Sequence, residues 1–439
     1  MPSAPPVPRA FDWLLGACLA GLVAALLFIL LRGGEYLAIP SLALMFVGAP
    51  VAAIIGLFSM RVWAPSVIPS ATLSLVAVAV ALLVAEAILL SGDAAVWGNQ
   101  QIVGERTDFL RTLGGATNPQ PNFFPKDLVR RSGAEEYRSV LEGTGGEMLP
   151  LAGVSNATVA MCRDADSRWQ AFRSDGHGFA NPAELWDGRS IALLSVGDSQ
   201  VQGWCVPPPD SFMGRIRAAT PATLNLGVAG NGPLADLAVL REYGAHVRPS
   251  TVLWMFTLAN DVADLDRESR TPILRSYLDP NHRQSLIDRQ PEVDQALQAY
   301  AEVAAPQGRA QIDWVEASRR LFTLYDLRLR FRVDRGSVEA PDYNLLRRVL
   351  ETARNEVSAW GGELVFVFLP SQLALRSSAP GQAEARDIVR ALGLQLIDVT
   401  AAFAAHPDPP HLFQAREGTH YSADGHALVA ATVISALGG

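Results

Sequence analysis

Four short stretches carry residue types that could make and break an ester bond: Gly197-Asp198-Ser199, Asn225 to Asn231 (NLGVAGN), Leu258-Ala259-Asn260-Asp261 and Glu417-Gly418-Thr419-His420. A serine hydroxyl is a weak nucleophile at neutral pH and needs a base beside it. His420 is the candidate base: it would take the Ser199 proton and return it to the leaving alcohol. A carboxylate on the other imidazole nitrogen would hold the tautomer and stabilise the imidazolium. Glu417, three residues earlier, is the candidate, with Asp408 and Asp424 as alternatives. The oxyanion of a tetrahedral intermediate needs preorganised donors. The backbone N–H groups of Ser199 and Gly230 and the Asn260 amide are the candidates, and a glycine at 230 lets substrate approach the main chain. Asp198 and Asp261 are expected to brace their turns, and His177 to pack. The remaining histidines show no metal spacing, so neither a metal nor a cofactor is expected.

Placing these residues requires a particular kind of scaffold. Ile191–Val196 is a short apolar run feeding the Gly-Asp-Ser turn, which reads as a buried strand. Further strands are expected at 223–228, 251–257, 363–369 and 395–399, with helices at 212–220, 234–246, 343–360, 382–392 and 423–437. Strands alternating with helices imply a parallel sheet covered on both faces, with ligands at the carboxyl ends of the strands. Three of the four stretches follow strands, and the fourth precedes the last helix.

In that order and at those places, the stretches resemble the four sequence blocks of the SGNH (GDSL-type) hydrolase superfamily, over about residues 189–439. The resemblance implies a flavodoxin-like three-layer α/β/α sandwich, with the nucleophile at Ser199, oxyanion donors at Gly230 and Asn260, and the base at His420. Two positions depart from the usual pattern. Glu417 stands where the family has an aspartate, and Leu258 where it has a glycine. Ser174 to Pro182 (SDGHGFANP) also resembles a segment that precedes the first strand in membrane-linked bacterial members.

The N-terminal part is chemically different. Residues 1–92 hold three basic and three acidic residues out of 36 and 44 in the chain. Apolar stretches at about 13–31, 37–59 and 69–90 each approach the roughly 20 residues that cross a bilayer, which predicts three transmembrane helices. Glu86 lies near the end of the third, where its carboxylate is expected to reach the interface. The balance of Arg9 and Arg61 against Arg32 favours an inside N-terminus, which puts the rest of the chain in the periplasm or outside. Domain limits of 1–91 (membrane), 92–187 (linker and extension) and 188–439 (hydrolase-like, with an insertion at 262–342) follow. The insertion carries alternating arginines and apolar residues at 315–333, either an amphipathic lid or a solvated helix.

Composition excludes other classes. A net charge of −8 argues against nucleic acid as a partner. The one lysine, Lys126, follows a proline, which removes Walker-type loops and Ser-x-x-Lys acyl enzymes. Three cysteines cannot make a disulfide scaffold. Cys162 and Cys205 are the pair outside the apolar block, so a disulfide between them is expected in an oxidising compartment. The reading that results is a multi-pass protein of the bacterial inner membrane. Its periplasmic serine esterase would remove O-acyl groups, acetyl foremost, from an envelope polysaccharide or glycolipid. The alternatives are an O-acyltransferase on the same site, or a non-catalytic glycan-binding partner in surface-polymer assembly.

Overall fold

The computed structural model describes residues 9–32, 44–64, 66–92, 106, 108–113, 118–132, 136–163, 168–188, 190–304, 318, 320–325, 327–328, 342–372, 375, 381–414 and 420–438. The chain forms two compact units, one of residues 1–103 with 307–340, the other of 104–306 with 341–439. The second unit takes in residues 104–187 of the expected extension and 262–306 of the expected insertion.

The first unit contains helices α1 (Arg9–Arg32), α2 (Ala49–Trp63, entered through a π turn at Leu44–Gly48) and α3 (Ile68–Gly92). Two stretches, Leu44–Trp63 and Ile68–Leu90, are long and apolar enough to cross a membrane. Of the second expected span, 37–59, residues 37–43 lie outside the described set. The expectation for Glu86 is corrected. Its side chain is buried, and its carboxylate accepts the Leu327 N–H at 2.8 Å. A carboxylate away from water must find donors, and the main chain of the 318–328 segment supplies one.

In the second unit five strands, β1 (Leu193–Val196), β2 (Thr223–Asn225), β3 (Thr251–Thr257), β4 (Glu363–Leu369) and β5 (Gln395–Asp398), form a wholly parallel sheet of order 2-1-3-4-5. This is the flavodoxin-like order. β2 is shorter than the 223–228 run, but pairing outlasts the regular strand: the Leu226 N–H donates to Ser195 O (2.8 Å) and the Val228 N–H to Gly197 O (3.0 Å).

Successive side chains of a strand point to opposite faces, and here both faces are dry. Val252, Trp254 and Phe256 of β3 enter one apolar cluster with Phe366 and Phe368 of β4. That cluster also holds α6 (Pro233–Val239), α9 (Tyr343–Ala359) and α10 (Gln382–Ala391). Leu253 and Met255 enter another with Val365 and Val367, closed by α5 (Phe212–Ala219) and α11 (Ala423–Ala436). Burial on both faces explains why these strands read as continuous apolar runs rather than alternating ones.

Candidate active site

β1 is followed by Gly197, whose φ of +149° favours glycine, and the chain turns straight into the four-residue helix α4 (Ser199–Gln202). Asp198 caps that helix: one carboxylate oxygen accepts the Gln200 N–H at 2.9 Å, the other the Asn260 side-chain amide at 2.5 Å. Ser199 thus opens a helix at the carboxyl end of the sheet. His420 reaches it from the loop before α11, and Ser199 Oγ lies 2.9 Å from His420 Nε2.

That loop is tied down on both sides. The Gln414 N–H donates to His420 O (2.8 Å), its side-chain amide donates to Trp204 O (2.9 Å) and Tyr421 O (3.0 Å), and Tyr421 Oη donates to Pro370 O (2.7 Å). Trp204 stacks on the His420 ring, centroids 5.5 Å apart at 26°. The sequence marks Trp204 only as the neighbour of a cysteine, and nothing local shows that it will cover an imidazole 216 positions on.

Glu417 lies outside the described residues. Of the alternative acids, Asp424 accepts from or pairs with His411 Nε2 at 2.9 Å, on the surface. Asn260 stands at the start of α7 (Leu258–Ser269) beside the nucleophile turn, with its amide nitrogen on Asp198. Gly230 sits in the turn after β2 at φ +81°, a conformation that glycine adopts without strain. Asp261 braces its turn by accepting the Thr257 N–H (2.7 Å).

Behind Ser199 the acids are crowded. Burial pushes the Asp198 carboxyl up, with the Asn260 and Gln200 donors pulling the other way. Asp236 and Asp261 are pushed well up by burial and by neighbouring carboxylates, Asp198 among them. Glu268 is pushed up to about 8 by burial, although its oxygens accept the Gly232 (2.7 Å) and Leu234 (2.8 Å) N–H groups. Between the ordinary 4.5 and about 8, folded Glu268 keeps a proton that the unfolded chain has released. The stability this contributes is whole below pH 4.5 and is lost as pH rises through 8. Thermal unfolding between pH 5 and 8.5 should therefore show a falling midpoint in the wild type and a flatter one in Glu268→Gln; equal slopes would contradict it.

The extension before residue 188 builds the walls. Asn122 and Gln202 exchange side-chain amide hydrogen bonds (3.0 and 3.2 Å) in a buried pair, which fixes the extension to α4. Asp175 accepts from the His177 and Phe179 N–H groups and from the Asn181 and Trp186 side chains, all at 2.8–3.0 Å. Asn181 in turn clasps the Asn225 main chain at the end of β2. His177 packs on Trp186, ring centroids 4.4 Å apart. The 174–182 segment therefore holds a loop of the site in place.

Cys162 and Cys205 are joined in a disulfide, Cα atoms 5.6 Å apart, across 43 positions. A loop of that length is worth about 4 kcal/mol on the chain-entropy model, and Cys205 adjoins Trp204. Replacing both cysteines by alanine should lower the unfolding free energy by about that amount and slow turnover by loosening the stacked tryptophan. Denaturant titration with and without reductant checks this, and an unchanged midpoint in both would contradict it.

No family model matches the chain, and no curated protein matches it. Three solved structures show the similarity found. A lipase/acylhydrolase from Enterococcus faecalis is 14% identical at a TM-score of 0.31, over 56% of this chain and 95% of that one. A GDSL-like lipase from Bacteroides thetaiotaomicron is 11% identical at 0.31, over 56% and 88%. A catalytic mutant of an acetylxylan esterase from Geobacillus stearothermophilus is 16% identical at 0.30, over 57% and 96%. At such scores the likeness carries no argument about the site, whose chemistry rests on its own geometry. Among solved structures, then, what this chain is similar to is a set of GDSL-type lipases, acylhydrolases and acetyl xylan esterases.

Proposed function

We propose that this chain is a membrane-anchored serine esterase that removes O-acyl groups, acetyl foremost, from a polysaccharide or glycolipid of the cell envelope. The observation that carries the reading is the 2.9 Å approach of Ser199 Oγ to His420 Nε2 at the carboxyl end of a 2-1-3-4-5 parallel sheet. In the reaction Ser199 Oγ attacks the acyl carbonyl carbon while His420 Nε2 takes its proton. The Ser199 and Gly230 N–H groups and the Asn260 amide receive the oxyanion. The leaving alcohol collects the proton from His420, and water, activated by the same imidazole, then releases the acid. Glu417 completes the triad by orienting His420. The apolar stretches Leu44–Trp63 and Ile68–Leu90 support membrane anchoring, and in this reading α1 is a third crossing of the inner membrane. The disulfide and the arginine balance of the helix ends support a periplasmic catalytic unit.

The full chain, purified in detergent, should hydrolyse p-nitrophenyl acetate and be labelled at Ser199 by a fluorophosphonate. Absence of both overturns the esterase reading in favour of a glycan-binding partner. An acyl-enzyme that forms but decays only when a sugar is added would instead establish acyl transfer.

A further inference from the structure

Of the 36 basic residues in this chain one is lysine, and it stands at the site. Lys126 lies in the short turn Pro125–Asp127 of the extension, which is seated by the buried Phe123, Pro125 and Leu128 and by the Asn122–Gln202 amide pair. Its alkyl stem runs across Gly230. An ideal Cβ built at 230 would fall 2.6 Å from Lys126 Cε and 3.0 Å from Nζ. Gly230 is thus required for its backbone conformation, and the mobile end of the Lys126 side chain lies over it.

Among the described residues, the Lys126 ammonium makes no hydrogen bond and no ion pair within 4.0 Å. It shares a cleft with Gly230, Arg267, Glu268 and Thr271. The charges facing it can be named. Asp264 is matched by Arg267 at 2.5 Å. Glu268 is buried, with its oxygens on main-chain N–H groups, and burial holds it protonated through neutrality. Asp127, the next residue, is exposed and is drawn on by Lys126 through charge alone. The cleft beside the expected oxyanion glycine therefore presents a cation that none of the described residues pairs, in a chain whose net charge is −8.

Two uses of such a cation can be told apart. Stabilising the oxyanion calls for preorganised donors in a water-excluded place. Lys126 is exposed, and an ammonium is a strongly hydrated point charge on a flexible stem. That suits a charged group which arrives with part of its water and settles near the reacting centre. We propose that Lys126 and its cleft form an anion subsite beside Gly230, taking a carboxylate or phosphate carried by the alcohol part of the ester. The inference rests on the esterase reading and narrows it to acidic substrates, with either an acidic sugar or a phosphorylated headgroup as the source of the charge.

The test uses the full chain in detergent and two acetyl esters, an O-acetylated methyl galacturonoside and the matching galactoside, which differ only in carboxylate against hydroxymethyl. The ratio of kcat/KM for the acidic over the neutral ester should fall about tenfold in Lys126→Gln, the factor of one charge-assisted hydrogen bond. Lys126→Arg should keep most of it. An unchanged ratio, or an equal loss on both esters, overturns the subsite. A second arm needs no turnover: calorimetry on Ser199→Ala protein with methyl galacturonide and with sn-glycerol 3-phosphate, repeated after adding Lys126→Gln. Lys126-dependent binding supports the subsite, and the tighter of the two ligands names the source of the anion. Binding of neither, or binding indifferent to Lys126, overturns it. If the wild type cleaves neither ester while Lys126-dependent anion binding persists, the esterase reading falls and the subsite stands.

Discussion

Ser199→Ala should lower ester turnover by about four to six orders of magnitude, the loss seen when a serine hydrolase loses its nucleophile. The serine sits at the first turn of a helix capped by Asp198 rather than by its own side chain, so removing Oγ leaves the turn and its hydrogen bonds in place. The variant should keep the wild-type circular dichroism and melting temperature and lose fluorophosphonate labelling. His420→Ala should cost nearly as much. The double variant should be little worse than either single one, because nucleophile and base act as a unit. Full additivity of the two losses would show that the 2.9 Å contact is not the working pair.

Asn260→Ala should lower kcat by about a hundred- to a thousandfold, the usual cost of one oxyanion donor. Here the loss has a second component. The Asn260 amide also donates to the buried Asp198 carboxyl, which caps the helix that Ser199 opens and which burial pushes up. Asn260→Asp is therefore the harsher change, since it sets a carboxylate where Asp198 now meets a donor. Its residual activity should fall below that of Asn260→Ala at pH 8 and recover part of the gap at pH 5.5, where one of the acids takes a proton. Steady-state kcat at both pH values decides. Equal rates for the two variants would mean that Asn260 serves only the reaction and not the turn.

The legibility of this site differs residue by residue. Ser199, Gly230, Asn260 and His420 could be picked out because each sits at the end of an apolar strand or before the last, apolar helix, where local pattern and chemical type coincide. Lys126 and Trp204 could not. Both lie in loops with no periodicity, and what brings them to Gly230 and His420 is packing of the extension and a disulfide-tethered loop. Glu86 failed for a related reason. Its position within an apolar run is legible, but the donor it meets is a main-chain N–H 241 positions away.

Legible in the order of the residues were the alternation of buried strands and helices, the apolar N-terminal block and the residue types for acyl chemistry, all of which depend on neighbours within one element. Partnership was settled by packing in three dimensions: which cation lies over Gly230, which ring covers His420, and which acids crowd behind Ser199. Those contacts join residues tens to hundreds of positions apart. Their free energies come from burial and from charges a few ångströms away, and neither burial nor distance is written in the order of the residues.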